Sequence, residues 1–353
     1  MRRRIAIVGL NPGTAIYAYI MARHDQEITI ITNHQGDHVE LLDLKPHAVL
    51  GVLSDQVIKL FSIKYLVDIM GIRLIKADLG DVEVSDNGDV VINDRRYHFD
   101  RVIVGSEVEL RDLKGAINNA VSVGKGVRIV SGDPGLALNM ALLLSELKYS
   151  VNVDLDRAPL DHEMVRALPI RHVADYEGTL NLEYKIRVPI VHGTVERLGR
   201  GFKSVDSLSG VEYLVTRDYE LLVRGKLMAL RDLGLIGDLK VPRLEVGLGL
   251  EWSYVAMGLS GRELGGVYRD LSSSRVSYRW GGRDLMAKVL YRGGRILGMQ
   301  FVVHGVGSLN WAFMVYALLL TGNTPLLLLD MGYEGFGTTR GLLEHLVMDV
   351  LNI

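Results

Sequence analysis

Cysteine is absent from this chain of 353 residues. Disulfides, thiolate metal ligands and a thiol nucleophile are thereby excluded together. A surplus of one charge is also missing, because 40 Lys and Arg stand against 42 Asp and Glu, for a formal net charge of -2. Nucleic acid is therefore not expected as the main partner, since neutralising phosphates takes a basic surface. Long apolar runs are scarce too. The longest, Trp311 to Leu320, is about half of what a bilayer requires, which predicts a buried helix and no membrane span. No apolar signal core follows the opening "MRRR", so a cytoplasmic location is expected. Neither a Gly-x-Ser-x-Gly elbow nor a P-loop pattern is present.

What the chain does contain is an ordinary globular composition, 48% hydrophobic and 23% charged, and enough length for two or three domains. Its start, "IAIVGLNPGT", reads as a short buried strand, Ile5 to Val8, stopping at a glycine. A helix is predicted over Pro12 to Arg23, with proline in the first turn where its missing N–H costs little. A second strand follows at Ile28 to Ile31. The same design returns later, with a strand at Val127 to Val130, a helix at Leu136 to Leu147 and a strand at Val151 to Val153. Gly9 to Thr32 and Gly132 to Leu155 span the same number of positions, which suggests two copies of one mononucleotide-binding unit. Between them, Val82 to Ser85 and Val90 to Asn93 alternate around the turn signal Asn87-Gly88, and Phe99 to Val104 returns as a strand ending in Gly105-Ser106.

With these elements in place the sequence resembles the pyridine nucleotide-disulfide oxidoreductases, and within them coenzyme A disulfide reductase and NADH oxidase. The resemblance implies an α/β fold with two Rossmann-like domains, of FAD and NAD(P) type, plus a C-terminal α+β dimerisation domain. It places the FAD-type domain at residues 1–112 and 226–262, a reduced NAD(P)-type domain at 113–225, and the dimerisation domain at 263–353. "LGLIGD", Leu233 to Asp238, is similar to the strand that returns to the flavin. "YRGGRILGMQ", the helix Leu309 to Leu320 and Tyr333 are similar to the dimerisation domain, and a homodimer is implied.

The resemblance also names cofactor-binding candidates. FAD would lie against Gly9, Asn11, Gly13 and Thr14, with Thr32 where the family places a ribose-binding acid, and with Gly237 and Asp238 reaching the ribityl chain. Gly132 marks the second loop, where NADH or NADPH would bind weakly if at all. There Asp133 adds a negative charge, Pro134 removes a donor, and Leu155 cannot hold a ribose. The family's redox cysteine has no counterpart in "NHQGDHVELLDLKPH". His34, Asp37, His38, Glu40 and Asp43 stand there instead, and Gly36 favours a solvated loop over a metal site. No catalytic residue and no metal ligand is assigned.

Two functions are consistent with this reading. One is a flavin-dependent oxidoreductase without thiol chemistry, passing electrons to a small-molecule or protein partner. The other is a catalytically inactive, cofactor-poor homodimer of the same fold, acting as a scaffold or binding protein.

Overall fold

The computed structural model describes residues 2–110, 113–122, 126–237, 241–280, 283–305, 315–317 and 319–320. It divides into two compact units, residues 1–111, 183–204 and 214–239 in the first and residues 112–182, 205–213 and 240–353 in the second.

The first unit is built on five parallel strands. In chain order these are β1 (Arg4–Val8), β2 (Glu27–Thr32), β3 (Arg73–Lys76), β4 (Arg101–Gly105) and β5 (Glu196–Leu198), arranged as β5-β4-β1-β2-β3. Alternation along β1 decides what each face packs against. Ala6 and Val8 join Ile31, Val102 and Val104 in a core with Val82, Val84, Val90 and Ile92, which belong to the strands Val82–Ser85 and Asp89–Ile92 of an antiparallel meander. The predicted hairpin around Asn87-Gly88 is therefore present, and a third meander strand, Arg95–His98, extends it.

Two helices complete this unit. α1 (Pro12–Arg23) carries the predicted proline in its first turn and buries Ala15, Tyr17, Ala18 and Met21. It packs closely along α2 (Asp218–Asp232). The buried Tyr17 hydroxyl donates to Asp232 at 2.8 Å, and burial together with the Asp232 charge holds the Tyr17 phenol in its protonated form. Arg101 on β4 pairs with both Glu196 and Asp232, and Arg231 pairs with Glu196 at 2.7 Å, so β4, β5 and α2 are clasped together.

One predicted strand is not formed. Leu233 to Gly237 is the tail of α2, where the Leu233 N–H donates to the Ala229 carbonyl (3.0 Å) and the Leu235 N–H to that of Leu230 (3.0 Å). The resemblance of "LGLIGD" implies a strand here, yet Leu235 is exposed. The strand that returns to the sheet is β5, which pairs in parallel with β4.

The second unit repeats the βαβ design with strands Gly126–Ser131 and Ser150–Val153 around the helix Pro134–Glu146, joined by the strand Gly178–Leu182. It also contains an antiparallel sheet of Leu244–Leu248, Trp252–Gly258, Ser272–Trp280, Arg283–Arg292 and Arg295–His304. The helix is buried from Gly135 to Ser145. Leu138 and Leu142 share a core with Tyr254, Ala256 and Val302 of that sheet. A hairpin at Gly293-Gly294 joins its last two strands. Of the predicted helix Leu309 to Leu320, residues 315–317 and 319–320 are helical, while the rest, with Tyr333, lies outside the described residues.

Candidate functional site

A helix N-terminus binds a phosphate only if its backbone donors are free, because each N–H can be aimed at one acceptor. In the β1–α1 turn every donor already has a partner. Gly9 N–H donates to the Ile31 carbonyl at 2.8 Å, and Leu10 N–H to Glu107 Oε1 at 3.3 Å. Asn11 N–H donates to Thr14 Oγ1 at 2.9 Å, and Pro12 has no N–H. Gly13 and Thr14 both donate to Asn11 Oδ1, at 2.9 and 3.0 Å. The result is a reciprocal N-cap, with Asn11 and Thr14 as its two halves.

Asn11 does more than cap. Its Nδ2 donates to the carbonyls of Ser106 (3.1 Å) and Leu198 (2.8 Å), tying the turn to the ends of β4 and β5. The Thr14 hydroxyl donates back to the Gly9 carbonyl at 3.1 Å, so it too is engaged. The two glycines have structural duties of their own. Gly9 sits at φ +96°, and a Cβ there would lie 2.7 Å from the Gly105 carbonyl oxygen. A Cβ on Gly13 would lie 2.7 Å from the Leu221 carbonyl oxygen, so Gly13 is what lets α1 and α2 touch.

Thr32, at the end of β2, hydrogen-bonds the Glu107 carboxylate and accepts the His34 N–H at 2.9 Å. Glu107 arrives from the strand Glu107–Leu110, directly after β4. The carboxylate thus occupies the space between the first loop and the end of β2. These residues do not fit a dinucleotide at this loop. A diphosphate would find no free N–H and a buried anion beside it.

A cleft of about 330 Å³ opens beside this turn within the first unit, with Asn11, Asn33, His34, Lys45, Glu107 and Arg187 among its lining residues. The stretch expected as a solvated loop forms part of its wall. His38–Glu40 is a strand paired with Lys59–Ser62, and Asp43 is only 2% exposed. Burial is tolerable for Asp43 because cations meet it. Arg200 Nη2 lies 2.9 Å and Arg217 Nη1 3.2 Å from its Oδ1. Arg200, following β5 and Gly199, also binds Asp218 Oδ1 at 2.7 Å. Asp43 and Asp218 exchange backbone bonds, with Asp218 N–H on Asp43 Oδ2 (2.7 Å) and Asp43 N–H on Asp218 Oδ2 (3.1 Å).

The two carboxylates respond differently to sharing these cations. Burial pushes Asp43 up, but Arg200 and Arg217 outweigh it and hold the group below the usual carboxylate range. Burial raises Asp218 to about 6, with the Asp43 charge adding to the rise against the pull of Arg200. Asp43 is therefore the fixed anion of the cluster, and Asp218 the one that takes up a proton first.

Gly237 is exposed after α2, and Asp238 lies outside the described residues. Gly132 meets no neighbour within 4 Å of an added Cβ. Beside it, Asp133 Oδ1 accepts from Gly135 N–H (3.0 Å) and Leu136 N–H (3.1 Å), which closes the second helix N-terminus in the same manner as the first. The first loop's glycines, Asn11, Thr14 and Thr32 are brought together around Glu107 and the helix start. Glu107, Arg200 and Asp218 join them without having been singled out. The available signal for Glu107 was an acid immediately following the buried strand end Gly105-Ser106.

No protein-family model matches the chain, and no curated protein does. Solved structures do. A reduced CoADR-RHD from Bacillus anthracis superposes with a TM-score of 0.70 at 12% identity, covering 100% of this chain and 81% of its own. A pyridine nucleotide-disulfide family oxidoreductase from Enterococcus faecalis does so with a TM-score of 0.60 at 15% identity, covering 94% and 93%. The fold is that of the pyridine nucleotide-disulfide oxidoreductases. The water-forming NADH oxidase from Lactobacillus brevis, whose structure holds NADH, has the same fold with a TM-score of 0.68 at 13% identity, covering 99% of this chain and 98% of that one. The α/β architecture expected from the sequence is therefore present, with the oxidoreductase fold maintained on very few shared residues. No described helix is long and apolar enough to cross a membrane.

Proposed function

We propose that this chain uses the pyridine nucleotide-disulfide oxidoreductase fold as a cofactor-poor binding protein, with the cleft beside the first turn as its ligand site. The supporting observation is the hydrogen-bond inventory of Gly9 to Thr14, in which no N–H is left for a diphosphate. The homodimer implied for residues 263–353, and the division into FAD-type, NAD(P)-type and dimerisation domains, belong to the same proposal. A cytoplasmic location belongs to it as well.

Flavin-dependent electron transfer without a thiol is the second reading. It is favoured by the cleft at the C-terminal ends of parallel strands, where α/β sheets bind ligands. It requires Asn11 and Glu107 to leave their partners, and nothing in the turn replaces those bonds.

One preparation tests both readings. Full-length protein purified without added cofactor should be colourless, and it should retain no FAD, NADH or NADPH after incubation in excess and gel filtration. Stoichiometric retention of FAD with a flavin spectrum would establish the second reading and overturn the first. Sedimentation of the same sample should give twice the 39.1 kDa chain mass, and a monomer at micromolar concentration would remove the dimer.

A further inference from the structure

We infer that the cleft takes a small organic cation, an ammonium or amidinium, held by Glu107. This rests on the reading of the cleft as a ligand site. It starts from a charge balance. Lys45 in the cleft wall pairs with Glu40 at 2.6 Å, and Arg187 pairs with Glu109 at 2.9 Å. Arg200 and Arg217 are matched by Asp43 and Asp218. Glu107 has no cationic partner among the described residues.

Glu107 is also nine-tenths buried, at 8% exposure, while lining the cleft. Its two oxygens have different fates. Oε1 accepts from Thr32 and from Leu10 N–H, which fixes the carboxylate in place. Oε2 receives no hydrogen bond from the described residues, so the cleft is where its partner must come from. A buried carboxylate without a counter-charge is costly to the protein alone. A ligand that brings a positive N–H donor removes that cost and forms a charge-assisted hydrogen bond. An anion meets the opposite situation, since the cations around the cleft are already engaged. The volume, about 330 Å³, is at the small end for ligand pockets and suits a single ring or short chain.

The test is calorimetry on the full-length protein at low salt, with benzamidinium chloride as probe, neutral benzamide as its isosteric control and propylammonium chloride as a second cation. Saturable binding of benzamidinium is expected, with benzamide about tenfold weaker or more. Glu107→Gln keeps an acceptor for Thr32 and should weaken benzamidinium by about tenfold or more. Lys45→Met frees Glu40 beside the cleft and should tighten it, which keeps the test decisive if the first variant misfolds. Equal binding of benzamide and benzamidinium, an unaffected Glu107→Gln, or no binding of either cation would overturn the inference. Flavin uptake by the wild-type protein would instead bring down the ligand-site reading beneath it, and a colourless protein indifferent to both cations would bring down this step alone.

Discussion

The two βαβ units share a topology and differ in what surrounds their helix N-termini. The helix of the second, Pro134–Glu146, is buried from Gly135 to Ser145, and Tyr254 donates to the Gly135 carbonyl at 3.2 Å. The helix of the first begins at the wall of a cleft. Both ends are capped by their own side chain, Asp133 in one and Asn11 in the other. Asn11 also fastens two strand ends, through Ser106 and Leu198. The motif position in the first unit is a junction as well as a cap. A glycine-rich turn after a strand is thus evidence of a nucleotide site only when its donors are free.

The comparison breaks most visibly at the buried ions that the first unit places beside its turn. Arg200→Met removes the cation that Asp43 and Asp218 share, leaving Asp43 with Arg217, and should cost about 3–5 kcal/mol in chemical denaturation. A loss under 1 kcal/mol would mean that the cluster is not holding the turn. Next come the loop glycines. Gly13→Val drives a side chain into the Leu221 carbonyl and should cost on the order of 1–3 kcal/mol, whereas Gly132→Ala has open space and should stay within about 0.5 kcal/mol of the wild type. Similar losses for both in the same melts would abolish the distinction between the loops. The smallest contrast is between the caps. Loss of a cap alone should cost about 1 kcal/mol, and Asn11→Ala about 1 kcal/mol more than that, because its bonds to Ser106 and Leu198 are lost with the cap. If the two prove equal, Asn11 is only a cap.

Much of this architecture is legible before any coordinates. Pro12 marks a helix start, and the alternation around Asn87-Gly88 marks the meander, because both signals act within a few residues. The site is less legible because its members converge from distant segments. Glu107 lies 75 positions from Thr32 and Asp43 lies 157 from Arg200, so no local spacing links them. β5 is three residues long, too short for a period to show. The resemblance instead implies the returning strand at Leu233 to Asp238, through "LGLIGD". Asp43, in turn, sits in a stretch rich in His and acids that reads as solvated until Arg200 and Arg217 are brought to it.

The placement of β5 and α2 has a consequence for synthesis. β4 ends at Gly105, but the strand that pairs with its free edge begins at Glu196, and the helix that covers Gly13 begins at Asp218. A ribosome adding roughly 5–20 residues per second needs on the order of 5–20 s to supply that strand. Through that interval the nascent first unit presents an unpaired sheet edge and an uncovered small-residue face on α1. Both are surfaces on which another chain can pair. The segment at 183–232 is therefore the latch of a unit whose other parts are made far earlier, and a chain stalled before it would be a holdase's client.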